Sequence, residues 1–291
     1  MNIRFLSSLT YLSILSIVSM VSCKKKETNY ILYYQRANEI DSIYRLAKNP
    51  KLAATEYKKL FSEYEPRNQE RIEEYETYLK LADQNNIDFG GKESLNKLIP
   101  LIAQYGDYYK KYFPLFKKYG IDSLSVKEQV SDWKKGLNQA LVDSFTVAMI
   151  RDQEQRHINL TIQAKNLKKN AKFLIWTFNK YGFPTTQKIG IMGHHNVLFT
   201  MPTFLTHMIE SKEYYPVIKS RLFEYVKSGD CPPRDYAMMI DMYHLSLFNS
   251  SYYSSGPDID SVEIDRNRKS IGLPSLKHAF KIREDFKRKF N

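Results

Sequence analysis

ILYYQRANEIDSIYRLAKNP, Ile31–Pro50, places Ile40, Ile43, Tyr44 and Ala47 at the spacing of one helix face and stops at Asn49-Pro50. The reading extends directly along the chain. LAATEYKKLFSEY (52–64) repeats the period through Leu52, Leu60 and Phe61, and IEEYETYLKLAD (72–83) repeats it again before the Asn85-Asn86 and Gly90-Gly91 breaks. SLNKLIPLIAQYGDYYKKYFPLFKKYG (94–120) supplies two more short helices, punctuated by Pro100, Gly106 and Pro114. Strand-like alternation is absent from this half. The expected fold class is mainly α.

Paired helices of this length with short breaks resemble a tetratricopeptide-type array, which would present a groove to a protein or peptide partner. A plain helical bundle that carries the next domain is the alternative. SDWKKGLNQALVDSF (131–145) opens a second segment. The expected organisation is therefore residues 1–22 as a signal peptide, 23–138 as a helical-repeat-like or bundle region, and 139–291 as a mainly helical domain. Within the last, YYSSGPDIDSVEIDR (252–266) suggests at most a small β-hairpin around Gly256-Pro257.

The chain has 291 residues, 43% of them hydrophobic, with 22 Tyr and 16 Phe against 2 Trp, enough to build cores that need no disulfide. Tyrosine at this density suits helix flanks that are half wet. MNIRFLSSLTYLSILSIVSMVSC (1–23) carries one Arg early, an apolar stretch from Leu9 to Val21 broken by serines, and small Ser22 before Cys23. The run is too short to cross a bilayer comfortably and reads as a signal peptide. Val21, Ser22 and Cys23 resemble a bacterial lipoprotein signal, with Met20 where Leu is usual. That resemblance implies cleavage before Cys23, a diacylglycerol on its sulfur with further acylation such as palmitate, and a place in the cell envelope, lipid-anchored to the outer membrane. An uncleaved anchor, or an ordinary signal with an incidental cysteine, are the alternatives.

Lipid on Cys23 leaves Cys231 as the one thiol of the mature chain, beside Pro232 and Pro233 and without a neighbouring His, so it reads as a passive turn residue. The formal charge of +12 falls to +11 when residues 1–22, with Arg4 and no acid, are removed. An exported protein meets lipid headgroups and polysaccharide rather than nucleic acid, so no nucleic-acid partner is expected. Lys24, Lys25 and Lys26 lie where each would add about 1 kcal/mol of attraction to an anionic leaflet.

In LVDSFTVAMIRDQEQRHINL (141–160), the stripe Val142, Phe145, Met149 continues onto Asp152, Arg156 and Leu160. A buried face thus runs into an acid and a base at i,i+4. NLKKNAKFLIWTFNKYG (166–182) puts Asn170 among Leu167, Leu174, Phe178 and Tyr181, with Gly182 as a left-handed cap and Pro184 beyond it. Gly190 and Gly193 read as the turn into a helix beginning near His194, whose polar stripe is Asn196, Thr200, Thr203, His207 and Glu210. Pro202 kinks that helix or begins a new one. Asp241 with His244, and Glu154 with His157, form acid-x-x-His pairs resembling half of a di-iron bundle, but the further inward carboxylates are missing, so neither metal nor cofactor is expected.

From Arg151 onward the chain resembles an uncharacterised bacterial domain family whose pattern runs Asp-Gln-x-x-Arg, Gly-aromatic-Pro with a Gly shortly after, Gln-His, Asp-Arg, Gln-x-Tyr-Gly-Ser/Thr and Arg-x-x-x-Gly-Leu. Asp152, Gln153 and Arg156 match the first element and Gly182, Phe183, Pro184 and Gly190 the second. His207 matches the histidine, Asp241 the acid, Tyr253 the tyrosine, and Arg268, Gly272 and Leu273 the close. Thr206 and Met242 stand where Gln and Arg belong, and Ser251, Ser254 and Ser255 replace the other residues around Tyr253. The resemblance implies a pocket of Asp152, Arg156, His207 and Asp241 with Asn170 and Tyr253 beside it, and carries no reaction of its own. One function is expected, with two alternatives to it. The first is an anchored binding or scaffold protein; the second is a hydrolase-like enzyme with His207 as general acid or base; the third is metal binding through His157, His207 and His244.

Overall fold

The computed structural model describes residues 29–69, 71–254 and 260–288. The signal peptide, Cys23 and the Gly256-Pro257 dipeptide lie outside the described residues. The first half folds as α1 (Tyr30–Arg45), α2 (Pro50–Glu63), α3 (Glu74–Gln84), α4 (Gly91–Ile102), a kinked 3-10 segment Ala103–Tyr112, α5 (Phe113–Lys118) and α6 (Ser123–Lys135). Short amides and carboxylates set the starts. Asn29 Oδ1 accepts from Ile31 N at 3.0 Å and Asn49 Oδ1 from Leu52 N at 3.1 Å, each satisfying a donor the helix cannot. Asn49-Pro50 is thus the cap and first turn of α2 as well as the break after α1.

The second half comprises α7 (Gln139–Gln153), α8 (Leu160–Tyr181), α9 (Thr186–Ile189), α10 (Met201–His207), α11 (Tyr215–Ser228), α12 (Pro233–Phe248), α13 (Ser261–Ser270) and α14 (Leu276–Arg288). Over 252–266, where at most a small hairpin is expected, the described residues Tyr252–Ser254 and Asp260–Arg266 hold no strand. Asp260 accepts from Val262 N at 2.8 Å and starts α13, whose last turn carries Arg268 and Lys269 at the dipole's negative end. Among the described residues there is no strand, and the β pairing is one isolated bridge between Met192 and Leu198. That bridge also corrects the helix expected near His194. His194–Asn196 is a single 3-10 turn, and α10 begins at Met201 with Pro202 in its first turn, so Asn196 lies outside the helix that bears His207.

Two apolar cores form. Tyr33, Tyr57, Leu79, Leu98, Ile102 and Phe116 belong to the first; Phe145, Leu174, Phe204, Ile218 and Met239 belong to the second. Helix α1 serves both, packing against α2 on one side and α11 and α14 on the other. Its buried face is therefore wider than the sequence stripe: Tyr33, Tyr34, Ala37 and Asp41 are buried and Ala47 is exposed. Two glycines let later loops lie on α1. Gly229 (φ +78°) and Gly272 (φ +85°) adopt left-handed backbone, and a Cβ there would come within 2.5 Å of Tyr30 Cγ and 2.6 Å of Tyr34 Cβ respectively.

The tyrosines are more buried than half-wet flanks require. Tyr33, Tyr34 and Tyr57 are fully buried. Rings of Tyr30, Tyr33, Tyr34 and Tyr64 meet at centroid distances of 5.3–6.4 Å, a geometry in which each pair adds about 0.5–1.5 kcal/mol beyond area burial. Some of the hydroxyls find internal acceptors, as Tyr33 does on Glu74 at 2.8 Å and Tyr75 on the Ser94 carbonyl at 3.1 Å, while that of Tyr57 is buried without one.

Candidate functional site

Helix α7 ends at Gln153, so its apolar stripe delivers Asp152 to the edge of the second core with a nearly buried side chain. Helix α10 delivers His207 against it, and His207 Nδ1 lies 2.7 Å from Asp152 Oδ2. Arg156, in the turn after α7, is 3.9 Å from the other oxygen of Asp152 and forms a tighter bond to Glu210. Glu210 also accepts from Gln163 Nε2 at 2.8 Å. Three sequence candidates, Asp152, Arg156 and His207, thus converge with Glu210. A carboxylate on Nδ1 fixes the imidazole and leaves Nε2 as its exchanging nitrogen, the arrangement a general base needs. The His207 side chain is 17% exposed, so the imidazole is partly open to solvent.

Asp241 does not join them. Its Oδ1 accepts from Tyr252 N at 2.8 Å and Tyr253 N at 2.7 Å, and its Oδ2 from Ser254 Oγ at 2.6 Å. Arg268 Nη1 donates to the Tyr253 carbonyl at 2.7 Å, and the Tyr253 ring is buried against Tyr236 and Tyr252. Asp241, Tyr253 and Arg268, three matched positions of the resemblance, therefore form one internal clamp that shapes the chain after α12. Burial pushes the Tyr253 hydroxyl well above its ordinary range, which suits a packed ring. Asn170 is equally committed: its Oδ1 accepts from Arg151 Nη1 at 3.1 Å and its Nδ2 donates to the Ala148 carbonyl at 3.2 Å, locking α8 to the end of α7.

The histidines expected as metal ligands stand apart. His157 occupies a turn in which its backbone N–H donates to Gln163 Oε1, and the His244 ring packs against Phe248 and Tyr252. Among the described residues no three His, Cys, Asp or Glu side chains are grouped to hold a metal ion. His194 meets Asp143 at 2.5 Å on an exposed surface.

The most buried ionic cluster was not on the sequence's candidate set. Asp41 Oδ1 and Oδ2 accept from Arg45 Nε at 2.9 and 2.8 Å, and Oδ2 lies 2.7 Å from His278 Nε2. Arg45 also reaches Asp285 at 3.2 Å and the carbonyls of Arg71 and Ile72. Burial opposes the Arg45 charge, but Asp41 and Asp285 outweigh it and hold the guanidinium above its ordinary value. A shallow cleft of about 330 Å³ opens beside His278, between α1 and the α13–α14 corner. The i,i+4 spacing of Asp41 and Arg45 could have been read from the sequence; their partner 237 residues away could not. Glu74 and Glu76 were also missed. Both are buried, Glu74 under the Tyr33 hydroxyl and Glu76 under those of Tyr108 and Tyr112.

Compared with protein-family models, with curated proteins and with solved structures, the chain finds no match.

Proposed function

We propose that this protein is a lipid-anchored component of the bacterial cell envelope that acts by binding, as a rigid helical scaffold for a protein or peptide partner. The observation that carries the binding half is the fate of the polar residues singled out in the sequence. Asp241 is spent on the Tyr252 and Tyr253 N–H groups and the Ser254 hydroxyl, Asn170 on the Ala148 carbonyl and Arg151, the Tyr253 ring on packing, and Asp152 is shared among His207, Gln153 and Arg156. Groups so engaged hold shape, which is what a docking surface on stacked helices requires. The anchoring half rests on Leu9–Cys23. Among the described residues no helix is long and apolar enough to cross a membrane, and the proposed attachment is the lipid on Cys23.

The test is expression of the full chain in a diderm bacterium, followed by fractionation and mass measurement of the N-terminal peptide. A mature chain beginning at lipid-modified Cys23, and a Cys23→Ala chain that leaves the membrane fraction, are expected. Unmodified Cys23 would count against the reading.

A second reading, hydrolysis, is favoured by one observation, the Asp152–His207 pair at 2.7 Å beside Arg156. A panel of ester, amide and phosphate substrates separates the two. Turnover by the wild-type chain that disappears in His207→Ala, with folding intact, would replace the scaffold reading.

A further inference from the structure

We propose that the end of the molecule where α1 begins, presenting Leu32, Arg67 and Lys269, rests on the anionic headgroup surface of the membrane that holds Cys23. The Asp152–His207–Arg156–Glu210 end then faces away from it. The proposal rests on the lipid-anchor reading above and adds an orientation to it.

The first argument is length. Cys23 and Asn29 are six residues apart, a contour of about 21 Å at 3.3–3.6 Å per residue. A chain of about 260 residues folds to a radius of gyration of about 18 Å, and so to a body about 45 Å across. The tether is shorter than the body, so the bilayer can be reached by the end that carries Asn29 and not by the opposite one.

The second argument is what surrounds that end. The Arg67 guanidinium covers the Tyr30 ring at 4.3 Å and donates to the Ser228 carbonyl at 3.3 Å, leaving it exposed at the start of α1. The Lys269 carbonyl accepts from Gln35 Nε2 at 2.8 Å, which sets that exposed lysine one turn along α1. Leu32 is 50% exposed between them. Lys24, Lys25 and Lys26 add their charge in the tether. Glu65 and Asp230 lie near Arg67 in the chain, Glu39 and Asp265 line the cleft beside Lys269, and Glu63 is taken by Arg36 at 2.5 Å. An exposed leucine with Arg67 and Lys269 on either side fits an anionic interface, where apolar side chains enter below the headgroups and cations stay among them.

The third argument fixes what points outward. Helix α11 links the two ends. Just before it, Glu213 holds Lys168 of α8 at 3.1 Å beside the His207–Glu210 segment, and after it Gly229 lies under Tyr30. Its 14 residues span about 21 Å. Helix α8 agrees: the Phe178 carbonyl near its end accepts from Tyr225 of α11, while Gln163 near its start holds Glu210.

The test uses the full-length chain, lipid-modified in a bacterium and reconstituted into vesicles of phosphatidylethanolamine and phosphatidylglycerol that carry a headgroup energy acceptor. A single donor fluorophore is placed at Leu32→Cys or at Ile158→Cys, which is 81% exposed in the turn before α8. Cys231 is fully buried and does not compete for label. Quenching several-fold stronger at position 32 than at 158 is expected, and Arg67→Glu with Lys269→Glu should reduce that difference. The unsubstituted chain gives an independent measurement: backbone amides around Arg67 and Ser270 should exchange more slowly in vesicles than in detergent. The mass of the N-terminal peptide is read first. A chain without lipid on Cys23 overturns the anchor reading and this face with it. A lipidated chain with equal or reversed quenching, or without the exchange protection, overturns the face alone.

Discussion

Asp41→Asn is nearly isosteric, yet it removes the charge that two buried cations or donors share. Asp41 is fully buried and takes both carboxylate oxygens to Arg45 Nε and one to His278 Nε2. Removing one member of a buried ion pair costs about 3–5 kcal/mol, because the other is left without its counter-charge. Arg45 retains Asp285 at 3.2 Å and two backbone carbonyls, which places the loss at the lower end, about 3 kcal/mol. For a chain of this size that corresponds to a fall in Tm of roughly 6–12 °C. Because Asp41 sits on α1 and His278 on α14, the loss should be shared. Urea melts of Asp41→Asn, His278→Gln and the double variant should give a coupling of about 1–2 kcal/mol. A loss under about 1 kcal/mol for Asp41→Asn, or strictly additive single losses, would refute the view that this cluster fastens the two ends of the chain. The argument concerns the loss of one member; exchanging the whole set for well-packed apolar residues is expected to be nearly neutral.

Burial raises Glu74 from 4.5 to about 7. The folded chain then keeps its proton in a window where the unfolded chain has released it, so stability is fully present below about pH 4.5 and falls as pH rises to about 7. Glu74→Gln, which can still accept from Gln69 N and donate to the Tyr33 oxygen, should flatten that part of the urea-midpoint profile; an unchanged slope would contradict the assignment. Gly193→Ala should cost about 1–3 kcal/mol in a thermal melt, since its Cβ would fall 2.2 Å from Thr146 Oγ1 and 2.6 Å from the Phe199 ring; a neutral result would show that the 192–198 loop moves freely. Burial holds the Cys231 thiol well above its ordinary value. A disulfide reagent should therefore leave it untouched in the native protein and titrate it in denaturant, and rapid native reaction would sink that placement.

The helical class was legible because apolar residues recur at helix spacing from Ile40 through Phe178, and because Asn, Pro and Gly punctuate them. What failed was local and physical. The Gly-Pro dipeptide allowed at most a small hairpin, and downstream of it Asp260 supplies a cap and Ser261–Ser270 an uninterrupted helix. His194 and His195 looked like a helix start, but Met192 pairs with Leu198 and closes a loop before Met201. At the candidate site, the Asp152 to Arg156 spacing was readable, and His207 was named for its polar face, yet nothing in the spacing linked His207 to Asp152 across 55 residues. Asp241 was grouped with them by order in the chain; its real partners, Tyr252 to Ser254, lie downstream in the segment it folds. Glu74 and Glu76 were overlooked for a related reason. Two acids at i,i+2 on a helix look solvated unless tyrosines from elsewhere, here Tyr33, Tyr108 and Tyr112, reach both.

That pattern is what the proposed lipid anchor would require of the first helix if only a few residues join the two. Among the described residues, helix α1 is the one element that contributes to both cores: Ile31 packs into the second, while Tyr30, Tyr33, Tyr34, Ala37 and Ile40 pack into the first. Asn38 Nδ2 donates to the Gly272 carbonyl at 2.8 Å and Asp41 meets His278, so the C-terminal helices are fastened to the same helix. A pull on the start of the chain is therefore borne by the centre of the molecule rather than by a peripheral helix that could peel away. A long linker would spare a weak first helix from such load; α1, held by two cores and a buried ionic cluster, has no need of one. On the proposed reading, the short tether and the double attachment of α1 would be two sides of one arrangement, holding the body close to the bilayer in a single orientation.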